Sequence, residues 1–587
     1  MQVFGDQMLP ILYLALLSIV HGFEDFRSRL NLTGLDQDAW WGATETGQAD
    51  TRIKRVKVEF RDEMIEDLKY RLHHRRPIIP TLQGAWFEYG MNSGIVEDWL
   101  QYWEKEYPFK QRQDKMNQFP HYVTNVQGLD IHFVRVRPQK VPKGVEVVPL
   151  IIMDGWPSSF VGFYEVIPRL TALSKHRDFA VEVIYPSIPG FTLSEASVKP
   201  GLGPAEVGIL YRKLMHRLGH KKYYIASNDM GMFIANFIVT AFPEDVLGYF
   251  TQLLILQNSL LSSVTDSAYT DSVYTANYTG RRTRDDDNRQ SPYLFHQASS
   301  PDTLGIGLND SPSGLLGYIL EKFHFARVLD RKENAGVKIQ DHIPRDVLLD
   351  NIMLYWMTGS ITTSMRFYAE TFNDRDVLGY FTQLLILQNS LLSSVTDSAY
   401  TDSVYTANYT GRRTRDDDNR QSPYLFHQAS SPDTLGIGLN DSPSGLLGYI
   451  LEKFHFARVL DRKENAGVKI QDHIPRDVLL DNIMLYWMTG SITTSMRFYA
   501  ETFNDRVIAM NVDETPSPVL TWITEPRYEI SPHPHWVKKT KFPNLVSHKI
   551  LNFGGHFLYY EFPDVYANEV ISAVAAFRKI HISKNGL

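Results

Sequence analysis

A perfect internal repeat constrains this chain more than any other feature of its sequence. Residues 245–375 and 376–506 are identical at every position, and both units begin with Asp-Val-Leu-Gly-Tyr-Phe. Solenoid repeats are shorter and diverge from one another, so a stacked array is excluded. Identity over 131 residues indicates a recent tandem duplication or an error of sequence assembly. Removing one unit of 131 residues from the 587 leaves 456.

The composition is that of a globular protein without a nucleic-acid partner. Apolar residues make up 43% of the chain, charged residues make up 22%, and the formal net charge is −7. The absence of cysteine excludes disulfides and thiolate metal sites. This length and composition fit several domains or one large α/β domain with insertions.

The N-terminus, residues 1–23, is apolar from Met8 to Val20. This run is shorter than the roughly 20 residues that span a bilayer, and it fits a signal peptide as well as a membrane anchor. Either one predicts a location at the endoplasmic reticulum (microsomal) membrane, contacted through the N-terminus. The oligomeric state is left open.

An extension at residues 24–146 precedes the predicted core. Its apolar spacing predicts helices at 62–76 and 94–106. Residues 122–136 alternate between apolar and polar side chains around Gly128, which predicts a β-hairpin.

Residues 147–258 contain the first part of a predicted α/β core. The apolar runs at 147–153 and 181–185 are typical of buried parallel strands, and a helix is predicted at 204–218. Strands that alternate with helices predict a parallel, doubly wound sheet. Functional loops of such sheets lie at the carboxyl ends of the strands.

The turn at Asp229 is the strongest chemical signal in the chain. A short apolar strand at 223–226 leads into Ser227, Asp229 and Gly231, which have the small–x–nucleophile–x–small spacing of a nucleophile elbow. A carboxylate is nucleophilic without a base, so it can open a strained ring or displace a halide and leave an ester on the enzyme. The motif alone fits an aspartate that caps a helix equally well.

Two backbone groups are candidates for an oxyanion hole. Asp154-Gly-Trp-Pro follows the strand at 147–153, and Met230 follows Asp229 in the elbow. Both turns lie at the carboxyl ends of strands, so the N–H groups of Trp156 and Met230 are predicted to converge.

The C-terminal part of the core, residues 507–587, supplies the remaining candidates. Glu525 and Glu529 follow an apolar strand, and His556 stands in a glycine-rich loop after another apolar segment. Nucleophile, acid and histidine therefore occur in the order of the α/β-hydrolases.

Several segments occur in the order found in one known family. They are Phe87-Glu-Tyr-Gly, Val126-Gln-Gly-Leu-Asp-Ile-His-Phe, Gly155-Trp-Pro, Pro186-Ser-Ile-Pro-Gly-Phe, Leu308-Asn-Asp-Ser-Pro, Tyr355-Trp-Met-Thr-Gly, Arg366-Phe-Tyr and Gly554-Gly-His-Phe. In these segments the chain resembles the microsomal epoxide hydrolases, in particular the insect juvenile hormone epoxide hydrolases. The resemblance implies an α/β-hydrolase fold with an N-terminal extension. It also implies a helical lid at 259–506, which holds most of both repeat units.

The resemblance also implies roles for individual residues. Asp229 matches the nucleophile, His556 the base and Glu529 the acid that orients the base, with Glu525 as the alternative acid. A mechanism of this kind uses no metal and no cofactor.

Two lid tyrosines of the family donate hydrogen bonds to the epoxide oxygen. Because the lid is duplicated, the first is Tyr293 or Tyr424 and the second is Tyr368 or Tyr499. Continuity of the second unit with the C-terminal core favours Tyr499. The surplus unit must cover its own apolar face, since an exposed one promotes aggregation.

The chain departs from the family pattern beside the nucleophile. Asp154 replaces a histidine before Gly-Trp-Pro, and Ser227, Asn228 and Met230 surround Asp229 where the family has two glycines and a tryptophan. The backbone donors survive these changes. A second carboxylate raises the pKa of its neighbour and disfavours an oxyanion, so we expect reduced or absent activity unless Asp154 turns away or pairs.

The sequence therefore predicts an epoxide hydrolase that acts with water on an apolar epoxide and forms a diol through an ester on Asp229. The substrate is juvenile-hormone-like or xenobiotic, which suits hormone catabolism or detoxification. One alternative is an impaired hydrolase-fold protein that binds hydrophobic ligands. Another is a haloalkane dehalogenase, which the lid tyrosines disfavour because a halide site prefers indole N–H donors.

Overall fold

The computed structural model describes residues 32, 35–43, 49–83, 87, 89–174, 178–251, 292–327, 338–371, 423–456, 470–502, 517, 520–527 and 535–584. The apolar run at 8–20 lies outside these ranges. Within them, no helix is both long enough and apolar enough to cross a membrane.

Seven strands form one mixed sheet with the order β1-β2-β3-β5-β4-β6-β7. The strands are β1 Lys54–Val56, β2 His121–Val126, β3 Leu129–Val136, β4 Glu146–Met153, β5 Phe179–Pro186, β6 Tyr223–Ser227 and β7 Val246–Thr251. β2 and β3 form the predicted hairpin, which turns at Gly128 with φ +89°. β5, β4, β6 and β7 pair in parallel, as predicted, whereas the hairpin joins β5 in the antiparallel sense.

Two helices of the core pack against each other beside this sheet. They are α5 Pro204–Arg217 and α6 Gly231–Ala241, and a shorter helix, α4 Val166–Thr171, precedes β5. Gly208 permits the close approach of α5 and α6, because a Cβ built there would lie 2.6 Å from the Phe237 ring.

The described part of the N-terminal extension contains three helices, α1 Asp62–His73, α2 Ser93–Lys105 and α3 Phe109–Met116. α1 buries Ile65, Leu68 and Leu72, which share one face at helical spacing. Asn92 caps α2 by accepting a hydrogen bond from the Gly94 N–H at 3.0 Å. Both helices agree with the sequence prediction.

In its described residues, each repeat unit forms five lid helices in the same order. The first unit has α7 Pro292–Ser299, α8 Pro301–Asp310, α9 Pro312–Arg327, α10 Arg345–Thr358 and α11 Ile361–Thr371. The second has α12 Pro423–Ser430, α13 Pro432–Asp441, α14 Pro443–Phe456, α15 Arg476–Thr489 and α16 Ile492–Thr502. The first three of these helices in each unit begin with proline, which needs no N–H partner in the first turn.

The two units have different surroundings although their sequences are identical. α10 packs on the N-terminal extension, where the buried Asp350 accepts hydrogen bonds from Tyr107 at 2.7 Å and Arg112 at 2.6 Å. In α15 the equivalent carboxylate, Asp481, is exposed. The second unit therefore leaves an apolar helix face uncovered, and Leu485 on that face is 67% exposed.

The C-terminal part contains β8 Thr521–Glu525, α17 His535–Lys541, β9 Leu545–Ile550, α18 Leu558–Glu561 and α19 Pro563–Lys584. β8 and β9 pair in parallel and form a separate two-stranded sheet. β7 therefore ends the seven-stranded sheet, where Phe250 is 64% exposed.

Candidate active site

Asp229 occupies the sharp turn between β6 and α6. Its φ of +44° is unusual for a residue other than glycine and is typical of strained functional turns. Two glycines make room for it. A Cβ on Gly155 would lie 2.1 Å from the Asp229 Oδ1 atom, and a Cβ on Gly231 would lie 2.4 Å from the Met153 carbonyl oxygen. The small residues of the elbow motif are therefore a steric requirement.

Two backbone N–H groups converge on one oxygen of this carboxylate. The Trp156 N–H donates to Asp229 Oδ1 at 3.0 Å, and the Met230 N–H donates to the same atom at 2.7 Å. The structure thus brings together the three residues that the sequence assigns to the nucleophile and the oxyanion hole. Among the residues described, both of these hydrogen bonds go to Oδ1 and not to the other carboxylate oxygen, Oδ2.

The protonation of Asp229 depends on its surroundings. Burial of the carboxyl group and, to a smaller extent, the Asp154 carboxylate raise the pKa of Asp229 to about 7, although the Met230 and Trp156 N–H groups oppose the rise. Burial also raises the pKa of Asp154, whose Oδ2 accepts a hydrogen bond from the Tyr185 hydroxyl at 3.3 Å. Asp154 thus stays inside the site and is paired with a neutral donor.

Tyrosines of the first repeat unit surround Trp156. The ring centroid of Trp156 lies 5.8 Å from that of Tyr293, 5.7 Å from Tyr318 and 6.1 Å from Tyr368. The Tyr293 and Tyr368 rings lie 6.4 Å apart. Burial raises the pKa of Tyr368, and the charges of Tyr293 and Asp229 add to the rise. The first lid copy therefore covers the nucleophile.

Two further tyrosines of this site were not predicted from the sequence. Tyr318 lies against Trp156, and burial together with Asp154 and Asp229 raises the pKa of Tyr355. Tyr355 starts the Tyr-Trp-Met-Thr-Gly segment on which the family resemblance partly rests, so that segment was the available signal. No sequence motif marked Tyr318, because its position beside Trp156 results from the packing of α9.

The tyrosines of the second unit form the same cluster elsewhere. Lys453 lies over the Tyr424 ring at 4.6 Å and over the Tyr449 ring at 4.5 Å. Burial raises the pKa of Tyr449, and the neighbouring Tyr424 and Tyr499 contribute to the rise. Chain continuity favoured Tyr499 as a donor, but the tyrosine beside Trp156 is Tyr368. The first unit follows α6 directly in the chain, which explains why its tyrosines lie near the elbow.

His556 lies in the loop after β9 of the two-stranded sheet, and among the residues described no hydrogen bond or ion pair joins it to Asp229. Its ring contacts Phe557 edge-on at 5.0 Å, and Phe557 lies 4.3 Å from Phe454 of the second unit. The hydrogen bonds of the Asp229 carboxylate, among the residues described, come from Trp156 and Met230. The structure therefore does not bring the nucleophile and the candidate base together.

The two candidate acids differ in what the structure shows of them. Glu529 lies outside the described residues. Glu525 accepts a hydrogen bond from His548 at 2.9 Å and pairs with Lys538. Burial alone would raise the pKa of Glu525, but Lys538 and His548 keep it below its ordinary value. Glu525 thus orients His548. In the described part of the chain, no group of three or more His, Asp or Glu side chains is arranged to hold a metal ion.

Comparisons with known proteins agree with the resemblance drawn from the sequence. Residues 53–163 match the family model "Epoxide hydrolase N terminus". The juvenile hormone epoxide hydrolase of Bombyx mori is 34% identical over 580 residues, which covers 99% of this chain and 98% of that protein. Epoxide hydrolase 1 of Oryctolagus cuniculus is 36% identical over 346 residues, which covers 57% of this chain and 76% of that protein.

A solved structure supports the same assignment. The crystal structure of juvenile hormone epoxide hydrolase from the silkworm Bombyx mori superposes with a TM-score of 0.51 at 32% identity, covering 93% of this chain and 100% of that chain. The predicted α/β-hydrolase fold with its N-terminal extension is confirmed. The chain therefore belongs to the epoxide hydrolases of this fold, together with the insect juvenile hormone enzymes and the microsomal enzymes.

Proposed function

We propose that this epoxide hydrolase converts an apolar epoxide to a diol through an ester on Asp229. The observation that carries the proposal is the geometry of the Asp229 carboxylate. The N–H groups of Trp156 and Met230 hold its Oδ1 atom, and the rings of Tyr293 and Tyr368 lie next to the Trp156 ring. An aspartate held in this way can present Oδ2 to a substrate beneath the lid.

In the first step, Asp229 Oδ2 attacks an epoxide carbon and the carbon–oxygen bond of the ring breaks. The epoxide oxygen takes a proton from Tyr293 or Tyr368, and the product is a hydroxyalkyl ester of Asp229. Oδ1 becomes the carbonyl oxygen of this ester and stays within reach of both N–H donors. This explains why the nucleophile is an aspartate, since the ester carbonyl remains where the donors can polarise it.

In the second step, His556 takes a proton from water, and Glu529 is the proposed orienting acid. The water oxygen attacks the ester carbonyl, and the Trp156 and Met230 N–H groups stabilise the negative charge that develops on Oδ1. Collapse of this intermediate breaks the ester bond to the alkoxide. The protonated His556 and the new carboxyl group give up two protons, one to the alkoxide, which leaves as the diol, and one to the tyrosinate, so the Asp229 carboxylate is restored. The step requires the loop after β9 to approach the carboxyl end of β6.

The substrate proposal rests on what surrounds the carboxylate. Trp156, Tyr318, Tyr355 and Tyr368 are buried there, so the enclosure suits an apolar epoxide with few polar groups. Relatives named juvenile hormone epoxide hydrolases support a hormone-like substrate, with xenobiotic epoxides as the second class. The apolar run at 8–20 supports a location at the endoplasmic reticulum membrane, where such substrates concentrate.

A single turnover in ¹⁸O-labelled water tests the covalent step. If the ester forms, the label enters the Asp229 carboxylate, and peptide mass spectrometry detects it there. Label found only in the diol would show direct attack by water. Asp229→Ala must abolish diol formation, whereas Asp481→Ala, an exposed aspartate of the second lid, must not. Ligand binding without any diol and without any ester adduct on the unsubstituted chain would instead support the hydrophobic-ligand binder.

A further inference from the structure

The two repeat units contact each other through reciprocal pairs of residues. Gly307 approaches Gly445 while Gly438 approaches Gly314, and Ile306 contacts Gly448 while Ile437 contacts Gly317. Asp310 accepts hydrogen bonds from Ser442 and Ser444 while Asp441 accepts them from Ser311 and Ser313. In each case the second contact joins the residues equivalent to those of the first contact, with the roles of the two units exchanged.

Residues at equivalent positions of the two units meet at the two-fold axis that relates the units. His296 and His427 occupy the same position in the two units, and their Nδ1 atoms lie 2.9 Å apart in a shared hydrogen bond. The flanking contacts are also exchanged. Tyr318 lies 5.9 Å from His427, and Tyr449 lies 5.9 Å from His296. The four helices α8, α9, α13 and α14 thus form a bundle with approximate two-fold symmetry.

Glycines make this bundle close-packed. A Cβ on Gly314 would lie 2.5 Å from the Gly438 Cα, and a Cβ on Gly445 would lie 2.5 Å from the Gly307 Cα. The helix backbones therefore touch, and larger side chains would separate them. Each junction is also held by charge-assisted hydrogen bonds, because each aspartate receives two serine hydroxyls at the start of the opposite helix.

We propose that the α8–α9 face of the repeat unit is a self-association surface whose partner is a second copy of the same unit. Reciprocal contacts of this kind define an isologous interface, which is complementary to itself. In the full chain the second unit occupies the surface of the first. In a chain with one unit, the same surface binds another chain, and the product is a two-fold dimer joined through its lids.

Cysteine cross-linking tests the pairing in the full chain, which contains no cysteine of its own. A Cβ built on Gly448 lies 3.9 Å from the Ile306 Cβ, which is within the range of about 3.5–4.5 Å that a disulfide needs. Ile306→Cys/Gly448→Cys should therefore lose both thiols within one chain on mild oxidation. The mirrored pair, Gly317→Cys/Ile437→Cys, has the same 3.9 Å separation and should behave identically.

The single-cysteine variants Ile306→Cys and Gly448→Cys serve as controls and should keep their thiols. Folding is checked by circular dichroism, and cross-linking is read from intact mass and non-reducing electrophoresis. Free thiols in both paired variants of a folded chain would overturn the proposed surface. Cross-linking of one pair without its mirror image would overturn the two-fold symmetry.

A one-unit chain that lacks residues 376–506 tests self-association directly. Both Arg375 and Arg506 end a unit, so this deletion leaves the junction with Val507 unchanged. The one-unit chain should be a dimer by light scattering. With Ile306→Cys/Gly317→Cys it should form a covalent dimer on oxidation. A folded one-unit chain that is monomeric at micromolar concentration would refute the proposal. If the one-unit chain does not fold, the paired variants of the full chain decide.

Discussion

Identical tyrosines occupy different environments in this chain, which gives the proposed proton donors a built-in control. Tyr368 lies beside Trp156, whereas its copy Tyr499 lies in the second lid. We expect Tyr368→Phe to slow ester formation about 10- to 100-fold, since a positioned acid contributes about 10²–10⁴-fold and two donors share the task. Tyr499→Phe should change the rate less than about twofold. Rapid quench followed by intact mass spectrometry measures the ester.

The same comparison applies to Tyr293 and its copy Tyr424. Tyr293→Phe should slow ester formation as Tyr368→Phe does, and Tyr424→Phe should leave it unchanged. A slow Tyr499→Phe variant with a normal Tyr368→Phe variant would instead assign catalysis to the second lid, as chain continuity suggests.

Asp154 should control the pH at which Asp229 becomes a nucleophile. Ester formation needs the ionised carboxylate, and the pKa of Asp229 is raised to about 7 by burial and by the charge of Asp154. Asp154→Asn removes that charge, so the pKa of Asp229 falls. The acid limb of the rate profile should move to lower pH, by on the order of 0.5–1 pH unit. Single-turnover rates between pH 5 and pH 9 measure this shift.

The matched control for this change is Asp481→Asn, which removes an exposed carboxylate from the second lid. Its profile should coincide with that of the unsubstituted chain. An acid limb that stays in place or rises in Asp154→Asn would show that Asp154 does not act on Asp229 through its charge.

The sequence predicted the residues of the site that lie in short local turns. It did not predict which lid tyrosines join them. The convergence of Trp156 and Met230 on Asp229 follows from short turns whose geometry the motifs already specify. The choice between Tyr368 and Tyr499 was beyond reach, because no pattern distinguishes two identical segments. Tyr318 enters the site through helix packing, which the local sequence does not encode.

The helices α10 and α15 have the same sequence, but their different surroundings bury a leucine in one and expose its copy in the other. Leu354 in α10 is 1% exposed, and its copy Leu485 in α15 is 67% exposed. Leu354→Ala should destabilise the protein by about 2–5 kcal/mol, the usual cost of truncating a buried leucine. Leu485→Ala should stay within about 0.5 kcal/mol, as expected of an exposed position. Differential scanning calorimetry of the two variants measures the difference in melting temperature.

Equal shifts in the two variants would show that α15 is buried in solution, for instance against another molecule. A larger effect of Leu485→Ala would reverse the assignment of the two lids to the covered and uncovered positions.

Element boundaries were predicted well where amphipathic spacing was strong. The helices α1 and α2 of the N-terminal extension, the hairpin around Gly128 and the parallel strands β4 and β5 lie where the pattern places them, whereas α3 was not predicted. The separation of β8 and β9 from the main sheet was not predicted. Strand pairing is non-local, and the sequence does not tell how far the second repeat unit displaces the segment that follows it.

Among the strands that the structure describes, β7 and β8 each lie at the edge of a sheet. β7 ends the seven-stranded sheet with its parallel partner β6 on one side, and Leu247 and Phe250 are exposed there. β8 pairs in parallel with β9, and Ile571 and Val574 of α19 are also exposed. Parallel pairing of β8 with β7 would cover these side chains and carry the His556 loop toward Asp229. The second repeat unit stands between the two edges in the chain.

Removing residues 376–506 should therefore restore the hydrolytic half of the reaction. The one-unit chain should form the ester at a rate within about threefold of the full chain, because the nucleophile, its N–H donors and the first lid are retained. Its steady-state diol formation should be about 100-fold faster or more, since a positioned general base contributes about 10²–10⁴-fold. The full chain should instead accumulate the ester, which intact mass spectrometry detects as an adduct of one substrate. His556→Ala in the one-unit chain should restore that accumulation. Equal diol formation by the two chains would show that His556 already reaches Asp229 when both units are present.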